Sequence, residues 1–197
     1  LKVLHDNGIN YIRIRIWNDP FNADGETYGG GGNDVSTGVE IAKEAAQYDM
    51  KVLLDFHYSD FWAEPAVQLI PKAWKKDVNN TEKMCSDVYD FTKESIQKFK
   101  DGGANIGMVQ VGNEITNGLL GIYSNRDKGE SFNVIWGDKK KSTEVNKYLK
   151  AGIKAVRECT PQALVALHLE TPNVWKYKTI MNTWKRDNVD YDVLGSS

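Results

Sequence analysis

The sequence predicts an α/β fold of the (β/α)8 barrel type, and three observations carry that expectation. Short apolar segments with strand periodicity alternate with amphipathic helical segments along the chain, the pattern of a parallel sheet with helices packed on it. Neither G-x-G-x-x-G at a strand-to-helix turn nor G-x-x-x-x-G-K-[ST] occurs, so nothing marks a nucleotide-binding open sheet. Polar residues gather where strands end: Arg15 and Trp17, Asp55 and His57, Asn113 and Glu114, His168 and Glu170, Ser196 and Ser197. In a barrel those ends converge on one mouth, where barrel enzymes do their chemistry.

The elements follow in order. In YIRIRIW, residues 11–17, Ile12, Ile14 and Ile16 alternate with Tyr11, Arg13, Arg15 and Trp17, a period of two. Residues 18–36 read as a turn-rich loop with a glycine run at 29–32. Ser36 or Thr37 can cap the next helix, where Val39, Ile41, Ala42, Ala45 and Ala46 recur at helical spacing. A second strand covers 51–57. A helix from about Thr81 to Lys100 presents Val88, Phe91, Ile96 and Phe99 as one stripe. The third strand is 106–113, and a helix is expected from Ser142 to about Cys159. Strand 163–170, a helix near 173–186 and a strand within 189–197 complete the pattern. The chain opens in a short helix carrying His5 on its surface. No low-complexity tract or linker interrupts the series, so 1–197 reads as a single domain.

Composition narrows the function classes. The 197 residues are 41% hydrophobic and 26% charged, an ordinary globular balance. A net charge of −2 offers no basic field for nucleic acid or an anionic membrane. No apolar run approaches the roughly 18 residues of a transmembrane helix, and the opening residues lack a signal-peptide pattern. Six tryptophans and nine tyrosines supply flat faces that suit sugar rings as well as cores. Cys85 and Cys159 fall near the start of one barrel helix and the end of the next. Parallel helices of about 18 residues separate such ends by roughly 27 Å, beyond disulfide reach, so both are expected free. His57, His168 and nearby acids match no zinc spacing, and no metal site is expected.

The segment VQVGNEITNGLL, residues 109–120, poses the chemical question. An apolar strand stops in Gly112, Asn113 and Glu114. A carboxyl group at a barrel strand tip can serve as a general acid if its surroundings raise its pKa. An amide beside it can bind a substrate hydroxyl. Glycoside hydrolysis needs two carboxyl groups flanking the scissile bond.

NYIRIRIWNDP, VLLDFHYSDFWAEPAVQLIPKAW and VQVGNEITNGLL together resemble glycoside hydrolase family 53, the endo-β-1,4-galactanases; HLETPN and YDVLGSS match more loosely. The resemblance implies retaining, endo-acting hydrolysis of β-1,4-galactan, a side chain of pectin, by an extracellular or cell-surface monomer without a cofactor. It matches Glu114 to the acid/base and Asn113 to the residue that contacts the sugar 2-hydroxyl. Arg15 corresponds to the second-strand arginine that supports the nucleophilic carboxylate, while Arg13, deeper on the same face, reads as structural. Asp55, His57, Tyr58, Trp62 and His168 are expected to bind substrate, Tyr58 and Trp62 as sugar platforms. Trp17 and Trp74 stay open between platform and core.

Matched to the family, the first barrel strand precedes Leu1, and strands seven and eight lie beyond Ser197. The chain is thus expected to be an incomplete barrel, helix 1 through strand 6. The family's nucleophilic glutamate ends strand seven, so residues 1–197 alone are expected to be inactive. A calcium site known in late loops of some members would also fall outside them. Glu170 is the rival nucleophile. The alternatives are a glycan-binding barrel that does not cleave, and a related clan enzyme acting on mannan, xylan or glucan.

Overall fold

The computed structural model describes residues 1–197. Its strands are β1 (Tyr11–Ile16), β2 (Lys51–Phe56), β3 (Ile106–Val111), β4 (Gly118–Leu119), β5 (Ile122–Tyr123), β6 (Leu164–Leu169) and β7 (Val193–Ser196). The helices are α1 (Lys2–Asp6), α2 (Val35–Ala46), α3 (Thr81–Asp101), α4 (Asn133–Trp136), α5 (Lys139–Cys159) and α6 (Val174–Arg186), joined by short 3-10 turns. Five strands form one parallel sheet in the order β1-β2-β3-β6-β7, while β4 and β5 make a separate small hairpin. The order never reverses. With right-handed crossovers, an unreversed order leaves the helices on one face, as in a barrel wall; a doubly wound sheet needs a switch point.

Strand periodicity sets what each face carries. Register pairs Arg13 with Leu53 and Arg15 with Asp55, then Asp55 with Gln110, Gln110 with Ala166, and His168 with Gly195. The helix-covered face holds Ile14, Ile16, Val52, Leu54, Phe56, Val109, Val111, Val165, Leu167 and Leu169, all buried. These pack with Ala42, Val88, Ile96, Phe99, Leu149, Ile153 and Trp184 in one hydrophobic core. The opposite face bears Arg13, Arg15, Asp55, Gln110 and His168.

Several boundaries differ from the sequence expectation, each for a local reason. Asp34, not Ser36 or Thr37, caps α2, accepting from the backbone N–H groups of both. Asp138 caps α5 through Lys141 N–H, so that helix begins three residues before Ser142. β3 ends at Val111 because Gly112 turns the backbone with φ of 85°. β7 begins only at Val193, because Asp190 and Asp192 are held by Arg157 at 2.9 Å each. The hairpin, α4 and the 3-10 turn Lys72–Asp77 carry no strong periodicity and were not anticipated. Cys85 and Cys159 are both free, as expected.

α5 rides close on the sheet at Gly152. A Cβ there would meet Tyr58 Oη at 2.6 Å and Val111 Cγ1 at 2.8 Å. Helix propensity alone makes Gly→Ala favourable by about 1 kcal/mol. Overpacking costs about 1–3 kcal/mol and is expected to win, so Gly152→Ala should lower the urea midpoint of the folded protein. A raised midpoint would show that the helix can back away.

Candidate active site

Three neighbouring strands leave the rim through left-handed residues: Tyr58 (φ 51°) after β2, Glu114 (φ 48°) after β3 and Thr171 (φ 49°) after β6. Non-glycine residues rarely adopt this conformation. At β3 the turn begins with Gly112, where a Cβ would sit 2.7 Å from Ile115 Cγ2. This glycine is needed both for its positive φ and for the lack of a side chain, and it delivers Asn113 and Glu114 to the rim.

Beneath the rim lies Asp55, wholly buried. Its Oδ2 accepts from Arg13 Nε at 3.0 Å and faces an Arg13 terminal nitrogen at 2.8 Å. Its Oδ1 accepts from Gln110 Nε2 at 2.6 Å. His57 Nδ1 accepts from the Ala63 N–H at 3.0 Å, which places the ring proton on Nε2, where it points at Asp55 Oδ2 3.3 Å away. The network continues to Asn113: its Oδ1 accepts from Arg13 at 2.7 Å and from Gln110 at 3.1 Å, and its Nδ2 donates to Ala63 O at 2.8 Å. One Asn113 N–H remains for a ligand.

Glu114 is half-buried above this layer. Burial is the largest influence on its carboxyl and raises its pKa above the ordinary value; Glu170 and Glu64 add to the rise, whereas the Ser197 hydroxyl and Arg13 oppose it. Ser197 Oγ lies 3.3 Å from Glu114 Oε1 and 3.1 Å from His168 Nε2. His168 Nδ1 lies 3.3 Å from the Glu114 backbone N–H and 3.0 Å from Asn113 Oδ1. Burial, with help from Arg13, lowers the His168 pKa and favours the neutral ring. Glu170 faces Lys176 at 3.9 Å.

The aromatic residues separate cleanly. Trp62 is 39% exposed. Its ring lies beside Trp17 (5.8 Å) and His57 (5.7 Å), with the Arg15 guanidinium 4.4 Å from its centroid. Trp17 is fully buried beneath it, and Trp74 packs in the core against Tyr58 and Phe91.

Two sequence expectations need correction. Tyr58 is no sugar platform: it continues the Leu54–Phe56 face, is 1% exposed, stacks on Phe56 at 5.7 Å and hydrogen-bonds Thr92. Asp55 and His57 are not positioned to touch substrate; both are buried, and their polar atoms are taken by protein partners. Of the two arginines, Arg13, read as structural, holds Asn113 and Asp55, whereas Arg15 lies against Trp62. Both share a face, and side-chain reach decides which one meets the strand tips.

Gln110 and Gln68 join the site without having been singled out, and Ser197, noted only as one of the polar strand ends, meets Glu114. Gln68 Nε2 donates to Asn113 O at 2.9 Å. Gln110 had a signal, as the polar residue between Val109 and Val111 in an apolar strand. Gln68 had none. No group of three or more His, Cys, Asp or Glu residues is arranged to hold a metal ion.

Residues 1–197 match the family model for glycosyl hydrolase family 53. An endo-β-1,4-galactanase of Bacillus subtilis is 44% identical over 195 residues, covering 98% of this chain and 41% of that protein. An arabinogalactan endo-β-1,4-galactanase of Humicola insolens is 28% identical over 99% of this chain and 54% of its own length. The chain therefore spans about half the length of the curated relatives it matches. Among solved structures, an Ignisphaera aggregans GH53 catalytic domain superposes with a TM-score of 0.86 at 33% identity, covering all of this chain and 50% of that one. A β-mannanase of the blue mussel Mytilus edulis, 14% identical with a TM-score of 0.56, shares the fold.

Asp55→Asn puts the positional reading of Asp55 to the test. The substitution leaves Arg13 without its anion and turns an amide N–H toward existing donors. Leaving buried groups unsatisfied costs about 1–3 kcal/mol, so the thermal midpoint should fall clearly. An unchanged midpoint would return Asp55 to the role of a ligand contact.

Proposed function

The chain belongs to glycosyl hydrolase family 53, and on that premise we propose that it carries the acid/base half of a retaining endo-β-1,4-galactanase. The observation that supports this most is Glu114: a half-buried carboxyl at a strand tip, with its pKa raised chiefly by burial. Arg13, the cation that opposes the rise, is engaged by Asp55 and Asn113 instead. A carboxyl so placed keeps its proton to higher pH than a solvated glutamate and can deliver it to a departing sugar oxygen.

In this reading Glu114 protonates the glycosidic oxygen as the bond to the anomeric carbon breaks. It then takes a proton from the water that releases the covalent glycosyl-enzyme. The free Asn113 N–H donates to the 2-hydroxyl of the sugar at the cleaved bond. Arg13 does not touch sugar; it fixes the Asn113 amide. His168 acts through its neighbours, and Trp62 offers its exposed face to a galactosyl ring, with Arg15 steadying the indole. The nucleophilic carboxylate is assigned, by the family resemblance, to a part of the barrel outside residues 1–197. Glu170 is a weak substitute, because it already faces Lys176. An enzyme that cuts a wall polymer acts outside the cell, and none of the helices is long and apolar enough to cross a membrane.

Glu114→Gln in the full-length protein should keep galactan binding while slowing turnover by about 10²–10⁴-fold. The measurement is release of reducing ends, with mannan, xylan and glucan as controls. Near-normal cleavage by the variant would remove Glu114 from the chemistry. Binding without cleavage by the unsubstituted protein would favour a glycan-binding barrel, and preference for a control polymer would favour a related specificity.

Trp62→Ala should raise the KM for galactan severalfold and leave the thermal midpoint nearly unchanged, because the indole is partly exposed. A lowered midpoint with unchanged KM would mean that the ring only seals Trp17.

A further inference from the structure

Two hydrogen-bonding groups of Glu114, its backbone N–H and its carboxyl, lead to one histidine. Its backbone N–H donates to His168 Nδ1 at 3.3 Å. Its carboxyl Oε1 is met by Ser197 Oγ at 3.3 Å, and Ser197 Oγ lies 3.1 Å from His168 Nε2. The contacts close a ring that spans the tips of β3, β6 and β7. We propose that Ser197 and His168 are positioning residues for Glu114, and that the ring couples the ionisation of this carboxyl to the tautomer of His168. The inference rests on the reading of Glu114 as the acid/base.

The argument is one of donors and acceptors. A serine hydroxyl has one proton, and a neutral imidazole has one N–H. When Glu114 is ionised, Ser197 spends its proton on Oε1. The Ser197 oxygen is then an acceptor, so His168 Nε2 must carry the ring proton, and Nδ1 accepts the Glu114 amide. Every donor in the ring then has a partner. When Glu114 holds its proton, the carboxyl O–H can donate to Ser197, which turns its own proton toward Nε2. The ring proton then belongs on Nδ1, where Asn113 Oδ1 waits at 3.0 Å. Nδ1 thus has a donor and an acceptor within reach, one for each state. Asn113 cannot relieve the choice by turning over, because its Nδ2 is held by Ala63 O and its Oδ1 by Arg13.

The charged and titratable groups around Glu114 come from each neighbouring element. Arg13 stands on β1, Glu64 on the loop after β2, His168 at the end of β6 and Glu170 just beyond it. Of these, Glu170 and Glu64 favour the protonated carboxyl and Arg13 the ionised one, as does the hydroxyl of Ser197 just past β7. Ser197 is the contact that can be removed without changing any charge.

The test is Ser197→Ala in the full-length protein, with Ser197→Thr as the variant that keeps the hydroxyl. Two readouts are taken: the pH profile of kcat/KM on galactan, and the titration of the Glu114 carboxyl carbon by NMR. Losing a hydrogen bond to the ionised form raises the pKa, so the alkaline limb and the carbon titration should both move to higher pH in the alanine variant and return in the threonine variant. The His168 ring nitrogens should follow Glu114 in the unsubstituted protein and lose that response in Ser197→Ala. An unmoved carbon titration, or equal loss of activity at every pH, would overturn the proposal. If the titration moves as expected but the unsubstituted protein releases no reducing ends from galactan, the coupling stands and the galactanase reading falls.

Discussion

Burying a carboxylate without partners costs several kcal/mol, and Asp55, at 0% exposure, is this structure's instance of that constraint. The partners that Asp55 requires are the groups that shape the rim. Arg13 comes from the strand on one side and Gln110 from the strand on the other, and both also hold Asn113. His57 completes the shell and ties in the loop at Ala63. The position of Asn113, and so of Glu114 beside it, follows from satisfying a charge one layer below. This makes the inner face of the sheet a polar lattice rather than a second hydrophobic core.

The same layer shows how local strain is afforded. Glu114 in a left-handed conformation is costly by roughly 1–2 kcal/mol. The cost is met where the chain is held on both sides: Gly112 absorbs the first turn, and Ile115–Asn117 forms a 3-10 turn whose Thr116 carbonyl accepts from Trp136 Nε1 at 2.7 Å. Thr116 Oγ1 in turn accepts the Glu170 N–H at 2.8 Å. Holding the acid at this angle therefore engages α4 and the segment just after β6 as well as its own strand.

Much of this was legible from periodicity. The Ile12–Ile14–Ile16 alternation gave the sheet face correctly, and the absence of phosphate-binding glycine motifs agreed with a sheet whose strand order never reverses. Glu114 stood out because a carboxyl at the tip of an apolar strand is chemically conspicuous. The errors share one cause. Alternation assigns a face but not the partners a side chain reaches, so it did not show that Arg13 holds Asn113 or that Arg15 lies against Trp62. Tyr58 was assigned by proximity to the rim, although its even-numbered register with Leu54 and Phe56 already placed it among the helices. Gln68 was invisible, and Ser197 was visible only as a polar strand end, because their partners are about 45 and 83 residues away in sequence and nothing local records such contacts.

The loop after β2 is pinned back onto the tip of β3. Ala63 receives Asn113 Nδ2, Gln68 donates to the Asn113 carbonyl, and Asn117 donates to the Pro65 carbonyl. Trp62 sits inside that pinned segment. The aromatic face and the Glu114 carboxyl thus behave as two marks on one gauge, and their spacing is set by hydrogen bonds between distant parts of the chain rather than by covalent distance. On the proposed reading, a polymer gripped at the first mark is presented at the second with a fixed offset in sugar units. On that reading, a change confined to Trp62 would alter the grip at the first mark, whereas changes at Ala63 or Gln68 would disturb the placement of Asn113 as well.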